Sequence, residues 1–443
     1  MNTKAIYSKR CWINNALQEA TIYFNDTIKN IITGKPESFD NIINAYDALV
    51  MPGIIDIHVH VNEPGRTDWE GFDTATQAAA AGGITTIIDM PLNASPVTTT
   101  LKAFNEKFTA SKNKLHVNTG FYGGLIPGNL NHIEELIQAG AYGFKAFLTH
   151  SGIDEFPNVT EADLDAAMPI LAKHNIPLLV HCELSDDAHG DELNADSISY
   201  SAYLKSRPKE WEDKAVQLMI DLSRKHSCAV HIVHVSSSTA LPLIKKAKEE
   251  GLKISAETCP QYLLFNSQEI PDGATIYKCA PPIREKENNQ QLKDALKTGV
   301  LDLIATDHSP APPSLKEISS GNFQKAWGGI AGLQFLLPAS FSALKNDLSL
   351  ESYIPLITEH PAKVLDLQQK GLIKQGYDAD LTIWNPSEDF TVKAEDIFHK
   401  HKISPYVSKQ LNGKVHQTYV NGELVFNNGH IINKNKGKWL LRK

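Results

Sequence analysis

The 443-residue sequence lacks an excess of positive charge and lacks long apolar runs. Its 43 Lys and Arg against 51 Asp and Glu give a formal net charge of -8, which leaves no electrostatic footprint for nucleic-acid binding. No run approaches the roughly 20 apolar residues that a membrane-spanning helix needs. The beginning, Met1-Asn-Thr-Lys-Ala-Ile-Tyr7, lacks the charged and then apolar layout of a secretory signal peptide. We therefore expect a cytoplasmic globular protein.

Cysteine is also scarce, and no Cys-x-x-Cys pair occurs. The five cysteines are Cys11, Cys182, Cys228, Cys259 and Cys279. Three of them lie within or beside apolar, strand-like segments, which is typical of buried thiols. We therefore expect all five to be reduced and buried.

Strand-like and helix-like segments alternate along the middle of the chain. Eight apolar segments are predicted strands: 53–60, 84–90, 115–122, 143–148, 177–181, 229–235, 252–257 and 301–306. Helix signals lie between them, such as the Ala-rich segment 73–81, which ends in Gly82-Gly83. Another helix is predicted over 160–174, where Thr160 and Asp163 fit a capping box. Alternation of this kind predicts parallel strands with crossover helices, and eight units indicate an α/β fold, the (β/α)8 TIM barrel.

The two ends of the chain show a different pattern, with short alternating runs broken by Asn, Gly and Asp. The run Asp380-Leu-Thr-Ile-Trp384 is typical of a strand. Residues 418–426 are typical of a hairpin, with Asn421-Gly422 as the turn signal. We predict that residues 1–50 and 366–443 pair into one small composite β-sandwich, and that residues 51–365 form the barrel.

Metal-binding residue types end several of the predicted strands. His58 and His60 are two positions apart, so both can point the same way from one strand. His181, His234 and Asp307 end three later strands. Catalytic groups of TIM barrels cluster at that end of the barrel. The pattern therefore predicts one shared metal site and disfavours histidines scattered through the core.

Lys145 lies at a further predicted strand end, in the run Tyr142-Gly-Phe-Lys-Ala-Phe-Leu148. Taken alone, this residue fits a partly buried lysine paired with an acid, because a cationic amine cannot bind a metal. Carbon dioxide can add to a neutral lysine and give a carbamate whose two oxygens can bridge two ions. Composition and spacing do not indicate that step.

Eight sequence blocks carry a resemblance to a known family. They are Glu63-Pro-Gly-Arg-Thr-Asp-Trp-Glu-Gly-Phe72, Asp89-Met-Pro-Leu-Asn93, Gly143-Phe-Lys-Ala-Phe147, Ser151-Gly-Ile-Asp-Glu-Phe-Pro157, Glu257-Thr-Cys-Pro260, Lys278-Cys-Ala-Pro-Pro-Ile-Arg284, Asp307-His-Ser-Pro310 and Phe323-Gln-Lys-Ala-Trp-Gly-Gly-Ile-Ala-Gly-Leu-Gln334. With these blocks the chain resembles, over nearly its whole length, the cyclic-amidohydrolase branch of the amidohydrolase superfamily, and within it the allantoinases.

The resemblance implies a hydrolase with two divalent metal ions per subunit, zinc or else iron, cobalt or manganese. His58, His60 and Asp307 would hold one ion, His181 and His234 would hold the other, and carbamylated Lys145 would bridge them. Asp307 would also be the catalytic acid–base group. The small-molecule substrate would be allantoin, opened to allantoate in purine and ureide catabolism, and the assembly would be a homotetramer.

Substrate contacts are carried over from the same resemblance. They are the side chains of Asn93, Arg284 and Ser309 and the backbone of Cys279 and Gly329. Two positions depart from the allantoinase pattern, Gln261 in place of His and Thr306 in place of Ser. Neither is a metal ligand, so we expect both departures to affect only fine substrate contacts.

Three alternative functions differ at identifiable positions. Dihydroorotases of this branch hold their substrate carboxylate with Arg, Asn and His where this chain has Asn62, Leu92 and Ala311. Hydantoinases and dihydropyrimidinases place a Tyr five residues after the carbamylated lysine, where this chain has His150. A non-catalytic scaffold of the same fold has lost metal ligands, whereas all six ligand positions are filled here.

Overall fold

The computed structural model describes residues 3–36, 42–186 and 196–443. Within these ranges the strands are β1 Lys4–Ile13, β2 Ala16–Phe24, β3 Ile28–Thr33, β4 Ile42–Pro52, β5 Ile54–Val59, β6 Ile84–Asp89, β7 Asn118–Phe121, β8 Gly123–Gly124, β9 Phe144–Phe147, β10 Leu178–His181, β11 Val230–Ile232, β12 Ile254–Thr258, β13 Leu303–Ile304, β14 Leu381–Thr391, β15 Gln410–Val420, β16 Glu423–Asn427 and β17 His430–Ile431.

The α-helices in the same ranges are α1 Phe72–Ala81, α2 Leu101–Ser111, α3 Ile133–Gln138, α4 Glu161–Lys173, α5 Tyr200–Lys205, α6 Lys209–His226, α7 Leu241–Glu249, α8 Pro260–Leu264, α9 Lys286–Lys297, α10 Leu336–Leu344, α11 Leu350–Tyr353 and α12 Glu359–Val364. Short 3-10 turns connect several of them. Within the described ranges, no helix is both long and apolar enough to cross a membrane.

Strands β5 to β13 form the barrel. They pair in parallel in two sheets, β5-β6-β7 and β8 to β13 in chain order, and β7 and β8 are one barrel strand interrupted at Tyr122. The barrel closes where the His60 amide donates to the carbonyl of His308 at 2.8 Å. Each of the eight predicted segments overlaps one of these barrel strands, and the TIM barrel is confirmed.

The barrel interior is packed. One buried apolar cluster unites Ile55, Ile88, Leu179, Val233 and Leu303, which come from five different strands or their ends. A filled barrel leaves its strand ends as the place for chemistry, because the interior has no pore.

The chain ends build one mixed sheet of eight strands, in the order β17-β16-β15-β14-β4-β1-β2-β3. Antiparallel pairing of β14 with β4 joins the two ends, with Ile383 opposite Val50. Phe24 of β2 contacts Tyr419 of β15, with ring centroids 5.8 Å apart, although three strands lie between them in the sheet. The sheet therefore bends onto itself, and the composite β-sandwich is confirmed.

The last residues of the chain leave this sandwich. Thr119 of β7 forms a β-bridge with Trp439, and the Trp439 indole donates to Ser111 at 2.9 Å. The predicted part 366–443 thus also contacts the barrel, and the limits at 50/51 and 365/366 stay predictions.

Local signals agree with the structure. Thr160 caps α4, with the reciprocal Asp163 bond of a capping box. Asn421 and Gly422 have φ values of 51° and 77°, as a type I′ hairpin turn requires. All five cysteines are buried and free, as expected.

Candidate metal centre and active-site cavity

The barrel strands deliver six residues to one cavity. His58 lies in β5, Lys145 in β9 and His181 at the end of β10. His60 follows β5 directly, whereas His234 and Asp307 lie in the short segments that follow β11 and β13. All six are buried, and all line a cavity of about 660 Å³. The sequence prediction that these strand-end residues lie together agrees with this placement. Their roles as ligands stay predictions.

His58, His60 and Asp307 form the first group of possible metal ligands. Asp307 Oδ1 lies 3.2 Å from His58 Nε2 and 3.4 Å from His60 Nε2. One ligand atom from each of the three residues lies within 4.8 Å of the other two. Asp307 adopts a left-handed backbone with φ 49°, a conformation that is uncommon for residues other than glycine and tends to occur at functional sites.

His181 and His234 form a second group. His181 Nδ1 and His234 Nε2 face each other at 3.0 Å. The other ring nitrogen of His181 lies 2.6 Å from a Glu183 carboxylate oxygen, and Arg207 pairs with the same carboxylate. Burial alone would raise the pKa of Glu183, but Arg207 and His181 lower it to about 2. The anionic Glu183 fixes the His181 ring so that Nδ1 points toward His234.

Lys145 is fully buried, and its strand β9 lies between the strands that carry the two groups of possible metal ligands. Within the described residues its amine has no hydrogen-bond partner, and it lies 5.0 Å from the Phe147 ring centroid. Burial lowers the pKa of Lys145 to about 8, partly opposed by Asp307 and Glu257. The interpretation of Lys145 as a lysine in a structural ion pair is therefore not supported.

The donor set fits divalent metals. His60 Nδ1, His234 Nδ1 and the Lys145 amine are buried without a hydrogen-bond partner in the described part of the chain. His58 Nε2 makes no hydrogen bond there either, although Asp307 Oδ1 lies 3.2 Å away. Orphaned buried nitrogens are costly unless a further group satisfies them. Imidazole and carboxylate ligands suit zinc, iron, cobalt and manganese.

Glu257 organises the site, and sequence reasoning did not single it out. Its carboxylate accepts a short bond from His58 Nδ1, and it also accepts from His231 Nε2 at 2.9 Å and from the His234 amide at 3.3 Å. Burial would raise its pKa, but the two imidazoles hold it well below the usual range. Glu257 opens a motif block of the family resemblance, and that position was the available signal.

Asp56 plays a comparable role on the other side of His58. It accepts from the His58 amide at 3.1 Å and from the Thr306 hydroxyl at 2.5 Å, and burial raises its pKa to about 7. Gln261 donates to the Thr306 carbonyl at 3.2 Å. The two departures from the allantoinase pattern therefore contact each other, and neither lines the cavity as described.

The predicted substrate contacts divide into two sets. Asn93 and Ser309 line the cavity, and the Asn93 amide lies 3.5 Å from the Ser309 hydroxyl. Cys279 and Gly329 lie outside the described lining, although their neighbours Ala280 and Gly328 belong to it. Arg284 also lies outside the described lining, and it is buried in an ion pair of 2.6 Å with Glu212. Sequence could not reveal this partner, which is 72 residues away.

Two of the four positions that distinguish the alternative functions belong to the described cavity lining, and two do not. Leu92 and His150 line the cavity, whereas Asn62 and Ala311 are buried and do not belong to the lining described. Leu92 adds an apolar surface to the cavity that the six candidate metal ligands line.

Replacing Glu257 with Gln should weaken metal binding by about 10–100-fold, the usual effect of losing a partner that orients a ligating histidine. The amide keeps the size of the carboxylate but loses the charge that His58 and His231 contact. Metal retention during dialysis against a graded chelator measures the effect. Glu388→Gln is a matched control, since Glu388 contacts His416 at 2.8 Å in the sandwich. Equal retention in both variants would contradict this role.

Comparison with known proteins agrees with the geometry. Residues 49–425 match the amidohydrolase family. The allantoinase of Arabidopsis thaliana is 44% identical over 403 residues, which cover 88% of this chain and 80% of that protein. The allantoinase of Saccharomyces cerevisiae is 38% identical over 451 residues, which cover 98% and 97%. The L-hydantoinase (dihydropyrimidinase) of Arthrobacter aurescens superposes with a TM-score of 0.93 at 32% identity, over 99% of both chains. The chain therefore belongs to the amidohydrolase family, within the group of sequences that contains these allantoinases.

Proposed function

We propose that this protein is an allantoinase, a hydrolase that opens the ring amide of allantoin and gives allantoate. The observation that carries the reaction type is that four imidazoles, Asp307 and Lys145 line one cavity, with no hydrogen-bond partner for the Lys145 amine among the described residues. The substrate is assigned from the allantoinases of plant and yeast, which match this chain over most of its length.

For the metal centre we propose two divalent ions, with zinc as the first choice. His58, His60 and Asp307 would hold one ion, His181 and His234 would hold the other, and a carbamate on Lys145 would supply oxygen ligands to both. In the part of the chain that the structure describes, the buried nitrogens His58 Nε2 and Lys145 Nζ make no hydrogen bond, which supports this assignment. When bound, two such ions supply a hydroxide at neutral pH and polarise the ring carbonyl.

The protein side chains carry out the proton transfer and bind the substrate. Asp307 would accept a proton from the water that adds to the ring carbonyl and return it to the ring nitrogen as the amide C–N bond breaks, which is general base and then general acid catalysis. Asn93 and Ser309 offer hydrogen bonds at the cavity wall to a neutral substrate. The backbone of Cys279 and Gly329 stays a prediction for further contacts. Arg284 is left out, because its guanidinium already pairs with Glu212.

Assembly and location are proposed on the family resemblance alone. We propose a homotetramer that acts in the cytoplasm. Size-exclusion chromatography with light scattering measures the first, and fractionation of the source cells measures the second.

Hydantoin hydrolysis is the second candidate activity. Allantoin is itself a substituted hydantoin, and the superposition on an L-hydantoinase covers 99% of both chains. His150 favours allantoinase, because it lines the cavity at the position where hydantoinases carry a tyrosine.

An activity panel on metal-replete protein separates the candidates. We expect efficient opening of allantoin, weaker turnover of hydantoin and dihydrouracil, and a kcat/KM for dihydroorotate at least about 100-fold below that for allantoin. Leaving a carboxylate unpaired in a buried site costs about 3 kcal/mol or more, and about 1.4 kcal/mol is a factor of ten. At the three positions where dihydroorotases hold the carboxylate, Leu92 supplies no partner for that charge, and neither Asn62 nor Ala311 belongs to the described lining.

Asn62→Arg is the control variant for this panel. It restores one cation of the dihydroorotase pattern but neither of its two partners, so we expect no gain in dihydroorotate turnover. Comparable kcat/KM for allantoin and dihydroorotate in the unmodified protein would contradict the assignment.

A further inference from the structure

Lys316 is a buried lysine that the proposed reaction does not use. Its side chain is 3% exposed, and its amine donates to three backbone carbonyls. These are the carbonyls of Lys278 at 3.1 Å, Trp327 at 2.9 Å and Gly329 at 2.8 Å. The three ammonium protons are therefore directed at main-chain oxygens. None of these oxygens belongs to a residue close to Lys316 in sequence.

Among the residues that the structure describes, no carboxylate accepts a hydrogen bond from the amine of Lys316. Buried lysines are rare and are usually paired with an acid, because burial penalises the charged form. Burial accordingly lowers the pKa of Lys316 to about 7. A methionine of similar length would avoid this penalty, so the three carbonyl bonds are the physical reason for a lysine at this position.

The three carbonyls belong to two separate segments of the cavity wall. Lys278 and Ala280 line the cavity from one segment, and residues 324–328, which Gly329 follows directly, line it from the other. A second lysine spans the same gap in the opposite direction, since the Lys278 amine donates to the Ala326 carbonyl at 2.6 Å. The two segments are otherwise distant in sequence and reach the wall from different barrel strands.

We infer that Lys316 is a positioning residue for substrate binding: it fixes the wall segment 278–280 relative to the wall segment 326–329. This inference rests on the proposed function, because the wall it fixes is the one that faces the substrate. Lys316 itself does not line the cavity described and touches none of the six metal-type residues among its hydrogen bonds. Its loss should change substrate affinity and leave the metal centre in place.

Lys370 provides a matched control. It is also a buried lysine, 7% exposed, but its amine pairs with Asp378 at 2.7 Å and Asp380 at 2.6 Å, away from the described cavity lining. Replacing Lys370 with Met removes a buried amine of the same kind and should lower stability without a specific effect on the cavity wall.

The experiment compares Lys316→Met, Lys278→Met and Lys370→Met with the unmodified metal-replete protein. For Lys316→Met we expect KM for allantoin to rise by about 10-fold or more, with kcat and metal content within about twofold. Such a split marks the loss of contacts made equally to ground and transition states, and small displacements of positioning groups have effects of this size or larger. Lys278→Met should act in the same direction and keeps the test open if Lys316→Met does not fold.

Hydrogen exchange followed by mass spectrometry gives a second readout that needs no turnover. Peptides that cover 274–284 and 311–330 should exchange faster in Lys316→Met, while the rest of the barrel keeps its protection. In Lys370→Met those two regions should stay protected. An unchanged KM in Lys316→Met, or faster exchange spread evenly over the molecule, would overturn the inference. Unmodified protein that does not hydrolyse allantoin would instead refute the proposed function, and the exchange data would still decide the role of Lys316.

Discussion

Asp307→Asn is expected to lower kcat for allantoin by about 10²–10⁴-fold, the usual contribution of a general acid–base group. Asp307 Oδ1 lies within 3.4 Å of both His58 Nε2 and His60 Nε2, so its carboxylate lies beside two of the other proposed metal ligands. The amide of asparagine keeps the size and shape but cannot take up the proton. Metal should be partly retained, because five of the six proposed ligands remain. Steady-state rates and metal analysis on the same preparation measure both effects.

The backbone conformation at position 307 is one that asparagine adopts without added strain, so the substitution changes mainly the side-chain chemistry. Asp307 has a φ of 49°, and asparagine is one of the residues that tolerates the left-handed conformation well. Asp366 has a φ of 52° and is exposed outside the described cavity lining, so Asp366→Asn is a control for the same chemical change in the same conformation. That control should leave kcat unchanged. If Asp307→Asn keeps a tenth of the original kcat, another residue carries the proton.

The sequence predicted the barrel and the meeting of six residues for one physical reason. Parallel strands end at the same edge, so residues such as His58 and His181 come together wherever the barrel is closed. The prediction needed only the strand pattern and the residue types at strand ends, and both are visible along the chain.

The groups that orient those six residues were not predictable in the same way. Glu257 contacts His58 across 199 positions, and Arg207 contacts Glu183 across 24. Period-two alternation indicates that a residue faces one side of a strand, but it does not identify the partner on another element. Glu183 nevertheless follows His181 by two positions, as His60 follows His58, and this spacing was an unused signal.

The prediction that Arg284 contacts the substrate did not include its ion pair with Glu212. A sequence motif indicates that an arginine is near the active site, but its long side chain can point toward any of several neighbouring groups. Here it turns to Glu212 on α6, which also accepts from the amides of Ser236 and Ser237 at 3.0 and 2.9 Å. The pair thereby supports the loop that follows His234.

Lys145→Ala is expected to remove most activity together with much of the bound metal. The amine of Lys145 is fully buried and has no hydrogen-bond partner in the described structure, so the proposed carbamate is the group that would satisfy this position. Alanine removes both bridging oxygens and leaves His58, His60, Asp307 and the pair of histidines as two incomplete ligand sets. A loss of metal affinity alone, or of turnover alone, would indicate that Lys145 has a weaker role than a bridging ligand. A bridging carbamate requires that metal affinity and turnover are both lost.

Rescue and labelling make the Lys145 test specific. A short carboxylic acid such as propionate fits the space of the missing side chain and supplies two replacement oxygens, so it should partly restore metal content and rate in Lys145→Ala. Protein prepared with carbon-13 bicarbonate should show a carbamate carbon signal that the variant lacks. Lys370→Ala, a change at a buried lysine of the sandwich, should lower stability but keep the metal content and gain nothing from propionate. Normal metal content and normal turnover in Lys145→Ala would show that the two ions are held without a carbamate, and the proposed centre would then have to be rebuilt on the four histidines and Asp307.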